Sequence, residues 1–457
     1  MSGPTSPTNF GQNVRALIER AMLLARSGRV NEAEVAFRDI VRRSPSSIEP
    51  YAFLGGRAFQ QQRYDEAVTA YERCIALDPR YVDFHFNLAT AREKLGNLAG
   101  AIEAYLSACR LNPRDARLAL FAGAALEAAG RREDAATMFT LGDDIDATLR
   151  MWKDRPDQNA EVRRRAATAD HVIREHFTCL HALAVDESEN RARSAGNGKV
   201  TPDLSRVRHA MWTQTHDGPV VFKTPKQEPS IFYMPDLEAR PITPRERLPW
   251  ASLIEGATDE IRAEYLAAVH GGAQLSPYVE ATVRSPIWQE LRGRQDWSSL
   301  HLFKAAQETQ FAKLFPKTLK ALEAADVVRV NGGTPIEMFL SRLKPGAHIP
   351  PHFGAANNRI TVHLPLIVPN DCTIRVGSEF HTWREGELFA FDDSFEHEAW
   401  NRSTAERVVL IFESHHPDLR LEERAAIEYA FEARGRWLKE RRVPGPDALP
   451  GRSTPTA

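Results

Sequence analysis

The sequence predicts a multidomain α + β chain, an α-helical solenoid followed by a β-rich barrel or sandwich with flanking helices. Three observations predict it. At 457 residues the chain is too long for one ordinary core. Its first third repeats with a period of 34 residues. From about residue 201 the pattern changes to short β-type runs broken by proline and glycine.

The repeat is carried by three registers at once. Ala33, Ala67, Ala101 and Ala135 align, as do Phe37, Tyr71, Tyr105 and Phe139, and Pro45, Pro79 and Pro113. Each unit reads as two helices, with a glycine at the turn (Gly28, Gly96, Gly130) and a proline ending the second helix. The pattern resembles the tetratricopeptide (TPR) repeat. A lone helical hairpin cannot bury its apolar face, so residues 14–148 are expected to stack into an array with a concave groove. That groove is either a rigid spacer or a surface that recruits a protein or peptide.

Residues 1–13 are polar and expected to be disordered, 149–200 form a helical connector and 201–441 form the second domain. Within the connector, Asp186 to Lys199 turns polar and reads as a loop. Amphipathic segments stand near Ile261 to Val269 and Phe311 to Ala324, Leu421 to Arg441 is helical, and 442–457 is a Pro/Gly/Thr tail expected to be disordered. Charged residues are 26% of the chain with a formal net charge of −2, so no bulk field draws it to nucleic acid or an anionic membrane. The four cysteines lack CxxC spacing, no apolar leader region stands at the N-terminus, and no run of 18 apolar residues occurs. A cytoplasmic protein without nucleic-acid or membrane partners is the expectation.

The chemistry concentrates between Glu337 and Leu419. Four short strands with turn signals predict a closed or sandwiched barrel there. Alternation puts Arg359, Thr361 and His363 on one face of a strand and Ile360, Val362 and Leu364 on the other. It likewise sets Arg407, Val409 and Ile411 opposite Val408, Leu410 and Phe412, one hairpin beyond His397 across the turn Asn401 to Ala405. An arginine pointing into a barrel needs an anion there; on the outside it needs none.

The string HxGxxxxRxxxHL from His352 to Leu364, FDDSFEHExW from Phe391 to Trp400, and the arginine ten residues after His397 resemble the aspartyl/asparaginyl β-hydroxylase family. The resemblance covers roughly Asp236 to Leu419, and TPR helices also precede the oxygenase in that family's animal member. It implies a double-stranded β-helix of jelly-roll, cupin-like type that holds Fe(II) through His352 and His397, with 2-oxoglutarate and O2 as co-substrates. Gly354 stands where most such oxygenases carry a carboxylate ligand; the family shows the same gap, filled by water. Asp393 is either a positioning partner for that water, and so part of the catalytic set, or a turn-forming aspartate. The resemblance places Arg407 on the distal carboxylate of 2-oxoglutarate, with Ser341, His363 and Trp297 lining the pocket and Thr361 beside them. Thr361 stands where the animal enzyme has an arginine. Arg359, and Arg292 in LRGRQDW, remain to grip a substrate carboxylate or carboxamide, or are ordinary surface arginines. By spacing His348 is also a candidate ligand, but the resemblance assigns that place to His352.

The expected activity is hydroxylation of the β-carbon of an aspartyl or asparaginyl residue in a protein or peptide. The alternatives are a TPR adaptor with a non-catalytic ligand-binding barrel, or a hydroxylase of a free or carrier-bound amino acid or of a lipid.

Overall fold

The computed structural model describes residues 7–195, 202–330 and 333–445. They divide into two compact units, the described residues up to 176 with 437–445, and those within 177–436.

The first unit opens with eight helices in antiparallel pairs: α1 Pro7–Arg26, α2 Val30–Arg43, α3 Ile48–Gln60, α4 Tyr64–Leu77, α5 Val82–Lys94, α6 Leu98–Leu111, α7 Ala116–Ala128 and α8 Arg132–Ile145. The aligned alanines Ala33, Ala67, Ala101 and Ala135 are each 0% exposed. They are small because neighbouring helices touch there. Gly55 faces Tyr71 and Gly123 faces Phe139; a Cβ at Gly123 would stand 2.6 Å from the Phe139 ring, so glycine is required by space. The turn glycines Gly28, Gly96 and Gly130 have positive φ, and the fourth member of that register, Gln62, adopts the same left-handed backbone at φ 61° without glycine's freedom. Helix α1 begins at Pro7, inside the stretch expected to be disordered; residues 1–6 lie outside the described residues.

A long helix, α9 Ala160–Ala195, contains the boundary between the units. It corrects the loop expected over Asp186 to Lys199, because the helix continues to Ala195. The polar residues there satisfy one another along it: Arg191 pairs with Glu187 at 2.9 Å and the Ser188 hydroxyl donates to the Ala184 carbonyl. Val185 meanwhile anchors one face in a core with Leu204, Val207 and Trp212. Residues 196–201, and the tail from 446 onward, lie outside the described residues.

The second unit carries the β-domain. The strands of its two larger sheets are β1 Ser276–Pro277, β2 Trp297–Lys304, β3 Gln307–Glu308, β4 Met338–Leu343, β5 His348–His352, β6 Arg359–Ile367, β7 Cys372–Val376, β8 Glu379–Thr382, β9 Phe389–Phe391, β10 His397–Asn401 and β11 Arg407–His415. One sheet runs β9-β6-β11-β4-β2-β1 with β3 on β2, and the other runs β8-β7-β10-β5. From β4 onward the chain alternates between them by ones and twos, which is the jelly-roll winding. Neither sheet closes on itself, so the sandwich is realised rather than the closed barrel.

Alternation assigns the faces of the larger sheet as read from sequence. Ile360, Val362, Leu364, Val408, Leu410 and Phe412 share a core with Ile261, Tyr265 and Ala268 of helix α10 Thr258–His270. Their opposite-parity neighbours face the second sheet. The Phe311 to Ala324 segment is a short helix, α11 Pro316–Ala321, flanked by 3-10 turns; the Leu421 segment forms α12 Leu421–Glu440.

The hairpin expected between His397 and Arg407 is not one: β10 and β11 belong to different sheets. Asn401 explains the crossing. Its side-chain amide donates to the carbonyls of Leu343 and Ala405, and its side-chain oxygen accepts from Ser403. The turn is thus pinned to β4 instead of folding back on β10.

Candidate active site

His352 ends β5 and His397 begins β10, and the two are register partners in the smaller sheet. Side chains of paired residues share a face, so the imidazoles meet, with ring centroids 4.0 Å apart. Each Nδ1 stands against a backbone carbonyl, Pro350 at 2.8 Å and Phe395 at 2.9 Å. A carbonyl only accepts, so each Nδ1 carries the proton and each Nε2 presents a bare lone pair. Burial pushes His352 down to about 3, aided by the neighbouring His397, and pushes His397 down to about 4. Both rings are therefore neutral at physiological pH, the form a metal ion requires.

These low values set a pH dependence. The unfolded chain has histidines near about 6.5, so between there and about 4 the folded state binds fewer protons. Stability is full above pH 6.5 and is lost as pH falls through that window. Metal-free wild type is expected to lose more denaturant stability between pH 7.5 and 5 than His397→Gln; equal losses would contradict neutral burial of the ring.

The third corner is shared by Gly354 and Asp393. Gly354 donates its N–H to the Asp393 carbonyl at 2.7 Å, and a Cβ on Gly354 would lie 2.2 Å from Asp393 Cγ. The Asp393 carboxylate, delivered from the turn between β9 and β10, thus occupies the space that a side chain at 354 would enter. Burial raises the Asp393 carboxyl above its ordinary value, against the pull of Arg359 and a hydrogen bond from Thr361. Its Oδ1 has no partner. Among the described residues no three or more His, Cys, Asp or Glu side chains cluster as candidate metal ligands.

These groups line one cavity of about 300 Å³ between the sheets. At its inner end Arg407 is 1% exposed and has no carboxylate partner among the described residues. Burial pushes its guanidinium down to about 10. Trp297 Nε1 donates to Ser341 Oγ at 3.1 Å, holding that hydroxyl on the wall. His363 is kept neutral by burial and by Arg407, and its Nδ1 has no partner. Buried donors without acceptors cost roughly 1–3 kcal/mol each, so the end around Arg407 is built for an anion.

Of the residues singled out in sequence, His352, His397, Asp393, Arg407, His363, Ser341, Trp297, Thr361 and Arg359 all line this cavity. Arg292 does not; its side chain donates to the Ser285 carbonyl. Arg359 is on the wall, but its Nε stands 3.1 Å from Glu413 Oε1. His348 stacks on Trp400 and meets Glu398, outside the cavity. Sequence reading missed Trp383, whose ring lies under the Arg407 guanidinium at 4.8 Å and whose buried Nε1 is unpartnered. It also missed Trp288, packed edge-on to His352 at 4.9 Å, and the pair Glu337 and Glu413. Only Glu413 had a signal, its parity with Arg407 along β11.

The site is thus a jelly-roll cavity with two inward imidazoles, neutral and bare at Nε2, beside a buried arginine without a carboxylate partner. Residues 255–417 match the family described as Aspartyl/Asparaginyl beta-hydroxylase, and residues 54–116 match the tetratricopeptide repeat. Aspartyl/asparaginyl beta-hydroxylase of Mus musculus is 35% identical over 144 residues, 31% of this chain and 19% of that protein. Aspartate beta-hydroxylase domain-containing protein 2 of Xenopus tropicalis is 31% identical over 212 residues, 45% of this chain and 55% of that protein. Ornithine lipid ester-linked acyl 2-hydroxylase of Rhizobium tropici is 34% identical over 175 residues, 37% of this chain and 58% of that protein. The chain thus spans about a fifth to three-fifths of these relatives. Among solved structures, YrrB, titled a TPR protein with an unusual peptide-binding site, is 18% identical with a TM-score of 0.29, over 35% of this chain and 91% of its own.

Proposed function

We propose that this chain is an iron(II)- and 2-oxoglutarate-dependent dioxygenase, with the β-carbon of an aspartyl or asparaginyl residue as the family precedent for its target. The observation that carries this is the convergence of His352 and His397 in the cavity that also buries the unpaired Arg407. The residues fit the cofactor. Two neutral imidazoles bring no charge, so Fe(II) and the doubly charged 2-oxoglutarate balance each other without a protein carboxylate ligand. When bound, iron with 2-oxoglutarate and O2 supplies the oxidant that turns a C–H bond into C–OH, with succinate and CO2 as co-products.

The chain's own residues place the reactants. Arg407 receives the distal carboxylate, with Ser341 beside it and the Trp383 ring holding the guanidinium plane. The Pro350 and Phe395 carbonyls hold both imidazoles with Nε2 inward. Asp393 accepts a proton-bearing group in front of Gly354. Phe391, Ile374 and Ile411 exclude bulk water. The TPR array is the element we assign to recruiting a protein or peptide substrate. The Rhizobium relative keeps a lipid acyl chain as a second substrate reading. No helix among the described residues is long and apolar enough to cross a membrane, and the four cysteines are free, which favours a reducing compartment; we read it as the cytoplasm.

The test is succinate formation from 2-oxoglutarate with added Fe(II). His352→Ala is expected to lower the rate at least about 100-fold, the loss of one of only two protein ligands. Equal rates in wild type and variant would leave the adaptor reading instead.

A further inference from the structure

The cavity has two chemically different ends. Along β11, Arg407 and Glu413 point to the same side six residues apart, about 20 Å at about 3.3 Å per residue. Exposure rises in that direction: the Arg407 side is sealed, whereas Glu413 and Arg359 are about 15% exposed and Glu337 is 32% exposed. The outer end is therefore where a substrate enters.

Its charge is the reverse of what an aspartyl substrate needs. Of the two arginines that sequence offers for a substrate carboxylate, Arg292 is not on the wall and Arg359 is already engaged by Glu413. Thr361, directly opposite Glu413 in the sheet register, brings no charge. Facing that single guanidinium are three carboxylates close enough to perturb one another, Asp393, Glu337 and Glu413. Glu337 has one oxygen 3.1 Å from His301 Nε2. Glu413 Oε2 is out of solvent and has no hydrogen-bond partner at all, and the Arg359–Glu413 contact itself lacks hydrogen-bond alignment. Burial without a full partner raises Glu413 to about 7, the direction that a bound cation would reverse. The unpartnered oxygen is the independent sign of a missing ligand, because a buried acceptor left unmade is costly.

We propose that the outer end of this cavity, between Glu413, Glu337 and the aromatic wall of Tyr278 and Phe339, takes a positively charged substrate group, an ammonium or guanidinium. This deepens the hydroxylase reading and rests on it. The substrate then carries a basic side chain or amine close to the carbon that is hydroxylated, and a lone aspartyl carboxylate is disfavoured.

The test uses binding, so that it stands apart from turnover. Quenching of Trp288 and Trp297, which line the cavity, is followed in the metal-free full chain. The titrants are Nα-acetyl-lysinamide, its uncharged isostere Nα-acetyl-norleucinamide, and Nα-acetyl-aspartamide with its free carboxylate. The lysine probe is expected to bind at least about tenfold tighter than either other, the size of one charge-assisted hydrogen bond. Glu413→Gln, which keeps shape, is expected to remove that preference and, by freeing Arg359, to favour the aspartyl probe. Glu337→Gln is expected to weaken it by a smaller factor. Presenting the same lysine free, as the blocked amide and within a neutral heptapeptide separates a small-molecule source from a peptide. Equal binding of the three probes, a wild-type preference for the aspartyl probe, no detectable binding of the lysine probe, or a preference unchanged in both variants would each overturn the proposal. Failure of the hydroxylase reading shows separately, as absence of succinate.

Discussion

Gly354→Asp, which puts a carboxylate two residues after His352, is expected to abolish the proposed activity. Gly354 is absent from the positive-φ residues, so its backbone would accept a side chain. Space is the obstacle: a Cβ would stand 2.2 to 2.4 Å from the three carboxylate atoms of Asp393. Either the Asp393 turn shifts, moving His397 four residues on, or the β5 end carrying His352 does. Overpacking of this kind costs about 1–3 kcal/mol, and it adds a like charge beside an already buried carboxylate. The variant is expected to melt several degrees lower and to turn over 2-oxoglutarate at less than about 1% of wild type, the loss expected when ligand placement is off by about 1 Å. The double change Gly354→Asp with Asp393→Gly vacates the space and is expected to recover the melting temperature. A melting temperature unchanged in the single variant, or unrecovered in the double, would show that the two positions do not compete.

Arg407→Met separates function from stability in opposite directions. The guanidinium is fully enclosed, lacks any carboxylate partner among the described residues, and is supported only by the face of Trp383. Replacing a buried charge with an apolar side chain of similar length commonly stabilises by about 1–4 kcal/mol, so the ligand-free variant is expected to melt higher than wild type. On the proposed function its affinity for 2-oxoglutarate is expected to fall about 100-fold or more, since a charge-assisted contact of about 3 kcal/mol would be lost. Thermal shift shows both at once: millimolar 2-oxoglutarate with Mn(II) raises the wild-type midpoint and leaves the variant unmoved. A variant that is less stable without ligand, or still stabilised by 2-oxoglutarate, would remove Arg407 from the co-substrate site.

Much of this was legible from local pattern. The 34-residue registers placed the buried alanines and aromatics because every repeat meets the same neighbours. Period-2 alternation placed Arg359, Thr361 and His363 opposite Ile360, Val362 and Leu364 because pleating leaves a strand only two faces. Other features were not legible. The turn at Asn401 looks like a hairpin in sequence, and becomes a crossing between sheets only through the Leu343 carbonyl, 58 residues earlier. The segment Asp186 to Ala195 reads as loop by composition, yet it continues the helix past the buried Val185, with Arg191 and Glu187 paired one turn apart along it. Arg359, and after it Arg292, stood as candidates for a substrate carboxylate, but Arg292 faces the Ser285 carbonyl and Arg359 faces Glu413.

The sequence by itself determined the repeat array and the strand faces, because each follows from spacing along one element; the choice of His352 and His397 and the place of Arg407 came from the family resemblance. The tertiary structure alone decided that Asp393 fills the place of a side chain at 354, that Trp383 supports Arg407, and that the cavity mouth is acidic. Those depend on which residues of separate strands end up within a few ångströms of one another. That is set by how two sheets face each other, and no periodicity within a single strand encodes it.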